Sequence, residues 1–257
     1  MSDKMDMRIS GSSTMPGGEY GKVSISGAGK IQGNVKCESL HCSGSAKVQG
    51  DAVAEEMHCS GSVRIEGSVV CTGELASSGS MACQGDVKTE RMRCSGSFQG
   101  EGKLEGGELS LSGALRVGGD VHCRSLRSSG VCRVGGGVEA ETVELSGATE
   151  IGGLLNAESV TISAGGKSEI GDIGCASIRV RQDQPGRFWD RVLSGHRKSM
   201  GLVTGTIEGD TVELEFTQAD VVRGKQVVIG EGCIIRRVEY TESCQAEEGT
   251  VEELVQV

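Results

Sequence analysis

Apolar and polar residues alternate in short runs along most of this chain. Val35-x-Cys37, Leu40-x-Cys42 and Val63-x-Ile65 show the two-residue period of a strand with one buried face. From Val23 to about Val180 the runs return every 17 or 18 residues, each copy holding an apolar-x-apolar-Ser-Gly element and a second glycine six residues later. Four residues before the first glycine stand Val23, Leu40, Met57, Leu75, Met92, Leu109, Leu126, Val143 and Val160. Two residues after the second stand Val35, Ala52, Val69, Val87, Leu104, Val121, Val138, Leu155 and Ile173. A fixed period of this kind marks a solenoid, in which no repeat buries its own apolar face and stacked copies share one core. At roughly 3.3 Å per residue such a turn has a perimeter of about 56 Å, room for three short strands around a core one side chain deep. The pattern predicts an all-β fold, a slim parallel β-helix.

The first glycine of each copy falls at Gly27, Gly44, Gly61, Gly79, Gly96, Gly113, Gly130 and Gly147, and the ninth copy has Ala164 there. Glycine is expected at these bends because it takes positive φ without steric cost. The serine before each of them, from Ser26 to Ser163, is expected to stack into a hydroxyl ladder at one corner. Ser-Gly is ordinary turn chemistry, which outweighs a modification or ligand strip.

The array sets the domain organisation. Residues 1–22 read as an irregular capping turn, in which Met7-x-Ile9-x-Gly11 copies the repeat opening before Pro16, Gly18 and Tyr20 break the phase. Residues 23–182 form the regular array. At 183–200 a turn, Gln184-Pro185-Gly186, leads into a short basic helix over 187–199, with Phe188, Trp189, Val192 and Leu193 sharing a face and Arg187, Arg191, His196, Arg197 and Lys198 around it. Such a helix is expected to pack on the solenoid or close one end; the alternative is a membrane-surface or partner-binding helix using Phe188, Trp189, Arg191, Arg197 and Lys198. Residues 201–243 resume strand alternation as further irregular turns. Residues 244–257 form an acidic tail that finishes a last strand at 251–257 or stays free of the array.

Composition fits this reading. Only 36% of the chain is hydrophobic and 2% aromatic, too little for a spherical core but sufficient for a narrow one of Val, Ile, Leu, Ala and Cys. A net charge of −10 argues against nucleic acid as a partner, which needs a basic track. Eleven cysteines would suggest disulfides in a secreted protein, yet no apolar segment follows Lys4 and Arg8 as in a signal peptide. A cytoplasmic location with reduced thiols is expected. Cys37, Cys42, Cys59, Cys71, Cys94, Cys123, Cys132 and Cys175 fall in inward columns, where cysteine acts as a small hydrophobe.

Candidate chemistry is sparse. The acidic residues are dispersed, so no paired-carboxylate site is expected, and too few aromatic residues are present for a sugar groove. His41 and His58 occupy equivalent positions one turn apart, but the cysteine after each points to the opposite strand face, so no metal site is expected. Gly-x-Gly runs such as Gly100-Glu101-Gly102 lack the Lys-Ser/Thr and helix of a phosphate loop. No enzymatic activity and no cofactor are expected. What remains is a solenoid with two ends, each presenting unpaired backbone groups and an apolar cross-section. End-to-end stacking satisfies both, and a contact that does not close on itself gives a filament. The candidate contact residues are Met7, Ile9, Met15 and Tyr20 at one end, and Val227, Ile229, Ile235, Val238 and Tyr240 at the other.

The Ser-Gly and glycine columns, and the opening Val23-Ser24-Ile25-Ser26-Gly27-Ala28-Gly29-Lys30-Ile31-Gln32-Gly33-Asn34-Val35, resemble the bactofilins, bacterial polymer-forming cytoskeletal proteins. Val222-Arg223-Gly224, Ile229-Gly230-Glu231-Gly232-Cys233 and Val238-Glu239-Tyr240 are similar to segments of a Gram-positive branch of that family. The resemblance implies a right-handed, roughly triangular β-helix and nucleotide-free assembly by end contacts into non-polar filaments. It also implies a scaffolding role in envelope shape, division or motility. The implied partner is the protein itself, with another envelope or cytoskeletal protein and membrane association as secondary expectations.

Overall fold

The computed structural model describes residues 4–164, 166–182 and 201–257. Every regular element among them is a β-strand, and the ladders are parallel. The fold is a parallel β-solenoid, as the periodicity predicts. The helix expected over 187–199, with Phe188, Trp189, Arg191, Arg197 and Lys198, lies outside the described residues. The chain divides into two compact units, Met1–Ser125 and Leu126–Val257.

In the first unit each turn supplies three ladder-paired segments. In one turn these are Ser45–Val48 and the two halves of Ala52–Cys59, which part at Glu55, where pairing lapses on both sides. Met7, Val23, Leu40, Met57, Leu75, Met92 and Leu109 stand rung on rung. None is more than 3% exposed. Burying such a side chain contributes about 1.5–3 kcal/mol, so these columns are the main apolar source of stability. Gly61 to Gly79 is an 18-residue step. The additional residue is absorbed at the corner near Gly73, where Thr89 and Arg91 lie opposite Cys71 and Glu74, and the columns stay in phase.

The Ser-Gly corners differ from expectation in their cause. Among the described glycines only Gly18, Gly33, Gly232 and Gly249 have positive φ, and none belongs to the Ser-Gly column. Close approach makes glycine necessary there. The N–H groups of Ser43 and Gly44 both donate to the Ile25 carbonyl, at 2.9 and 3.2 Å, and those of Ser60 and Gly61 to the Cys42 carbonyl, at 2.8 and 3.1 Å. A Cβ at Gly44 or Gly61 would run into the carbonyls of the preceding corner. At the next corner side chains complete the ladder. Asn34 Oδ1 accepts from the Asp51 N–H at 2.9 Å, and Asp51 Oδ1 from the Ser68 N–H at 2.8 Å.

In the second unit Val143, Val160, Ile178, Val212 and Val227 continue in the same manner, each buried. The register slips between Ile151 and Leu154 opposite Ile170 and Asp172, and Leu154, outward by the alternation that puts Ile151 and Leu155 inside, is 51% exposed. Strand Ser168–Arg181 ladders directly with Leu202–Leu214, so residues 183–200 fall between adjacent rungs. Turns then shorten, with Leu202 opposite Thr217 and Val222 opposite Val238. Buried Phe216 holds a corner at φ 48°, strained for an aromatic residue, its ring against Gly232. The last rung is Val251–Gln256, paired with Ile235–Tyr240.

Candidate functional site

The two terminal rungs are built differently. Leu254 continues the column of Ile207, Val222 and Val238, all completely buried, yet is itself 51% exposed because no described residue stacks on it. Val251, above Ile235, and Cys244, above Val227, are half-buried for the same reason, and Ala246 lies exposed above Ile229. Val227, Ile229, Ile235 and Val238, expected at this end, therefore sit one rung inside it as buried core, and Tyr240 is half-buried opposite Gln256. The residues at the edge are those of the segment expected as an acidic tail. Its column phase is readable in the sequence, since Leu254 follows Val238 by the same 16 residues that separate Val238 from Val222. Arg237 holds the rung through Glu253 at 3.3 Å.

At the other end Met7 and Ile9 are only 2% and 3% exposed, so the inward side chains of the first paired rung are already covered. Met15 and Tyr20 are half-buried. Strand Ser12–Glu19 carries Pro16, which has no N–H to offer, and a register shift between Pro16 and Gly18. The Tyr20 hydroxyl donates back to the Pro16 carbonyl at 2.9 Å. A proline and a bulge on an edge strand are devices that blunt backbone pairing.

Side chains able to do chemistry are held apart or held inert. The rings of His41 and His58 stack at 4.9 Å with planes 10° apart, so their in-plane lone pairs run side by side and do not converge. Cys42 and Cys59 face the core behind them. Burial pushes the Cys42 and Cys83 thiols up to about 11 and that of Cys132 to about 12, leaving them protonated and poor nucleophiles. Cys123 and Cys175, expected inward, are only half-covered. Their column narrows to alanine and glycine at Ala140, Ala157 and Gly209, which leaves little to cover a neighbour. Among the described residues no three His, Cys, Asp or Glu side chains are grouped to hold a metal ion, and no helix is long and apolar enough to cross a membrane.

A solenoid with an open apolar edge and inert thiols suits a structural role, and comparison with known proteins agrees. Residues 46–132 match the family model described as bactofilin, polymer-forming cytoskeletal. This stretch is similar to a bactofilin domain. The bactofilin match covers the regular turns from Ala46 to Cys132 and leaves both terminal rungs outside it. The uncharacterized protein YhbF of Bacillus subtilis (strain 168) is 40% identical over 80 residues, a stretch that is 31% of this chain and 31% of that protein. No solved structure matches the chain.

Proposed function

We propose that this protein is a non-enzymatic scaffold that self-associates through the edges of its solenoid into nucleotide-independent polymers serving envelope shape, division or motility. The observation that carries the reading is the last rung. Leu254 lies in phase with a fully buried column and is half-exposed, within a chain whose residues 46–132 match the model of a polymer-forming family. Stacking a second copy there would cover Leu254, Val251 and Ala246 and satisfy the outer backbone groups of the strand. Growth beyond a pair requires the opposite edge as well. Met15 and Tyr20 are its half-buried side chains, and Pro16 directs that contact toward side chains and away from added strand pairing.

The test is sedimentation with negative-stain electron microscopy, without nucleotide, across protein and salt concentrations. The full-length protein is expected to form narrow polymers or concentration-dependent larger species. Leu254→Glu places a charge in the contact and is expected to shift the population to the smallest species with unchanged circular dichroism. A wild-type protein that sediments as one small species at every concentration would overturn the proposal.

A further inference from the structure

One face of the first unit carries cations without carboxylates. Residues 28–31 and strands Ser45–Val48, Ser62–Ile65, Ser80–Cys83, Ser97–Gly100 and Ala114–Val117 stack rung on rung along it. Each of these segments buries its second and fourth residues and turns its first and third outward. The outward positions hold Lys30, Lys47, Arg64 and Arg116, and otherwise only serine, alanine and glutamine. No Asp or Glu stands among them, in a chain whose net charge is −10.

Elsewhere in this unit Lys36, Lys88, Arg93 and Arg124 are each held by a glutamate at 3.0 to 3.2 Å. Among the described residues Lys30, Arg64 and Arg116 have no such pair, while Lys47 is held by Glu66 at 2.6 Å. Lys30, Lys47 and Arg64 also stand directly opposite one another on consecutive rungs, about 4.8 Å apart, and like charges so placed destabilise a sheet. At the corner beside the face Asp51 and Asp86 each turn an oxygen to a main-chain N–H of the next rung, at 2.8 and 2.9 Å, and Asp120 is held by Lys103 at 3.8 Å. Glu101 at that corner sets one charge against four. An anionic surface laid on the face would relieve the repulsion. At 0.1 M salt the screening length is about 10 Å, so the sign of this face, and not that of the whole chain, governs what lies against it.

The form of the face selects the partner. Short side chains between the cations leave an even surface about 24 Å long from Lys30 to Arg116, which meets a plane of anionic headgroups along its whole length. A nucleic-acid duplex curves away from such a face, and a single strand needs stacking rings, which its outward positions lack. We propose that this face lies against an anionic phospholipid surface, with Lys30, Lys47, Arg64 and Arg116 at the headgroup phosphates and the serine hydroxyls between them donating to phosphate oxygens. The face presents no large apolar side chain, so the contact stays at the depth of the headgroups and is released by salt.

Vesicle flotation tests the contact without interference from self-association, because vesicles rise where protein polymers sink. Full-length protein is expected to float with vesicles of phosphatidylglycerol and phosphatidylcholine at low salt and to stay behind with phosphatidylcholine alone. It is expected to leave the anionic vesicles in 1 M salt, where the screening length is about 3 Å. Lys30→Gln with Arg64→Gln and Arg116→Gln is expected to weaken partitioning by about 10²-fold, at about fivefold per cation beside an anionic surface. Ser62→Glu with Ser97→Glu, both at exposed positions of the same face, is expected to weaken it as well, with circular dichroism unchanged in both variants. Lys88→Gln with Arg93→Gln and Arg124→Gln removes the same charge from outside the face and is expected to change partitioning by less than about fivefold. Wild-type protein that does not float on anionic vesicles, or an equal loss in the two triple variants, would overturn the proposal. So would face variants that float like the wild type, which would assign the contact to cations elsewhere in the chain. Duplex DNA that strips the protein from the vesicles at equal phosphate concentration would overturn it in favour of a nucleic-acid partner.

Discussion

At the scale of single residues, sterics and not backbone dihedral select the glycines of the Ser-Gly corners. A Cβ on Gly61 would meet the carbonyl oxygens of Gly44 and Ser43, both main-chain atoms that cannot swing aside. Gly61→Ala is therefore expected to destabilise the protein by about 1–3 kcal/mol through local overpacking, and Gly61→Asn by at least as much. Gly33 is the opposite case, with φ +97° and open space where a Cβ would go. There Asn, which enters the left-handed region more readily than other non-glycine residues, is expected to be better tolerated than at Gly61. Thermal melts of the two asparagine variants check this; equal losses would mean that dihedral strain governs both columns. The positions of these glycines were plain from the period. The reason for them was not, because a sequence shows recurrence but not how near the carbonyl of the neighbouring rung lies.

At the scale of strands and turns, the inward columns bear the energetic weight. Leu109 is 1% exposed and stacks on Met92. Leu109→Asp leaves an unpaired carboxylate in that column at a cost of several kcal/mol. Lower thermal stability is expected, with faster hydrogen exchange in Leu104–Leu111 and its neighbour Val87–Cys94. Unchanged melting would remove the column from the core. These strands were legible because a two-residue alternation nested in a 17-residue period fixes both the faces and the rungs. Legibility declined where the period changed. Leu155, two residues after Gly153, could still be read as inward and Leu154 beside it as outward. Beyond Gly201 the turns shorten, so Val251 and Leu254 could be placed on a rung only once the spacing of Val222 and Val238 was known to be a turn.

At the scale of the whole molecule, the cysteines couple stability to pH on the alkaline side. All eleven are free, eight of them buried. Burial is the largest cause of the upward shift in each case, to about 11 for Cys37, Cys42, Cys83, Cys175 and Cys233, and to about 12 for Cys132. Below the ordinary thiol value of 9.0 both folded and unfolded chains keep these protons, so the thiols impose no pH dependence there. Between that value and about 11 to 12 the unfolded chain releases protons that the folded chain retains, which favours unfolding. The melting temperature is thus expected to be level with respect to the thiols up to about pH 9 and to fall steeply above it. Loss of charge on Lys225, whose pKa its partner Asp210 raises, acts in the same direction, but such exposed pairs contribute little. Replacing Cys42, Cys83 and Cys132 together by alanine separates the two causes. The variant is expected to melt lower at pH 8, since small cavities replace three thiols, and to lose less than the wild type between pH 8 and pH 10.5. An identical loss in both proteins would assign the alkaline limit to the surface charges and not to the core.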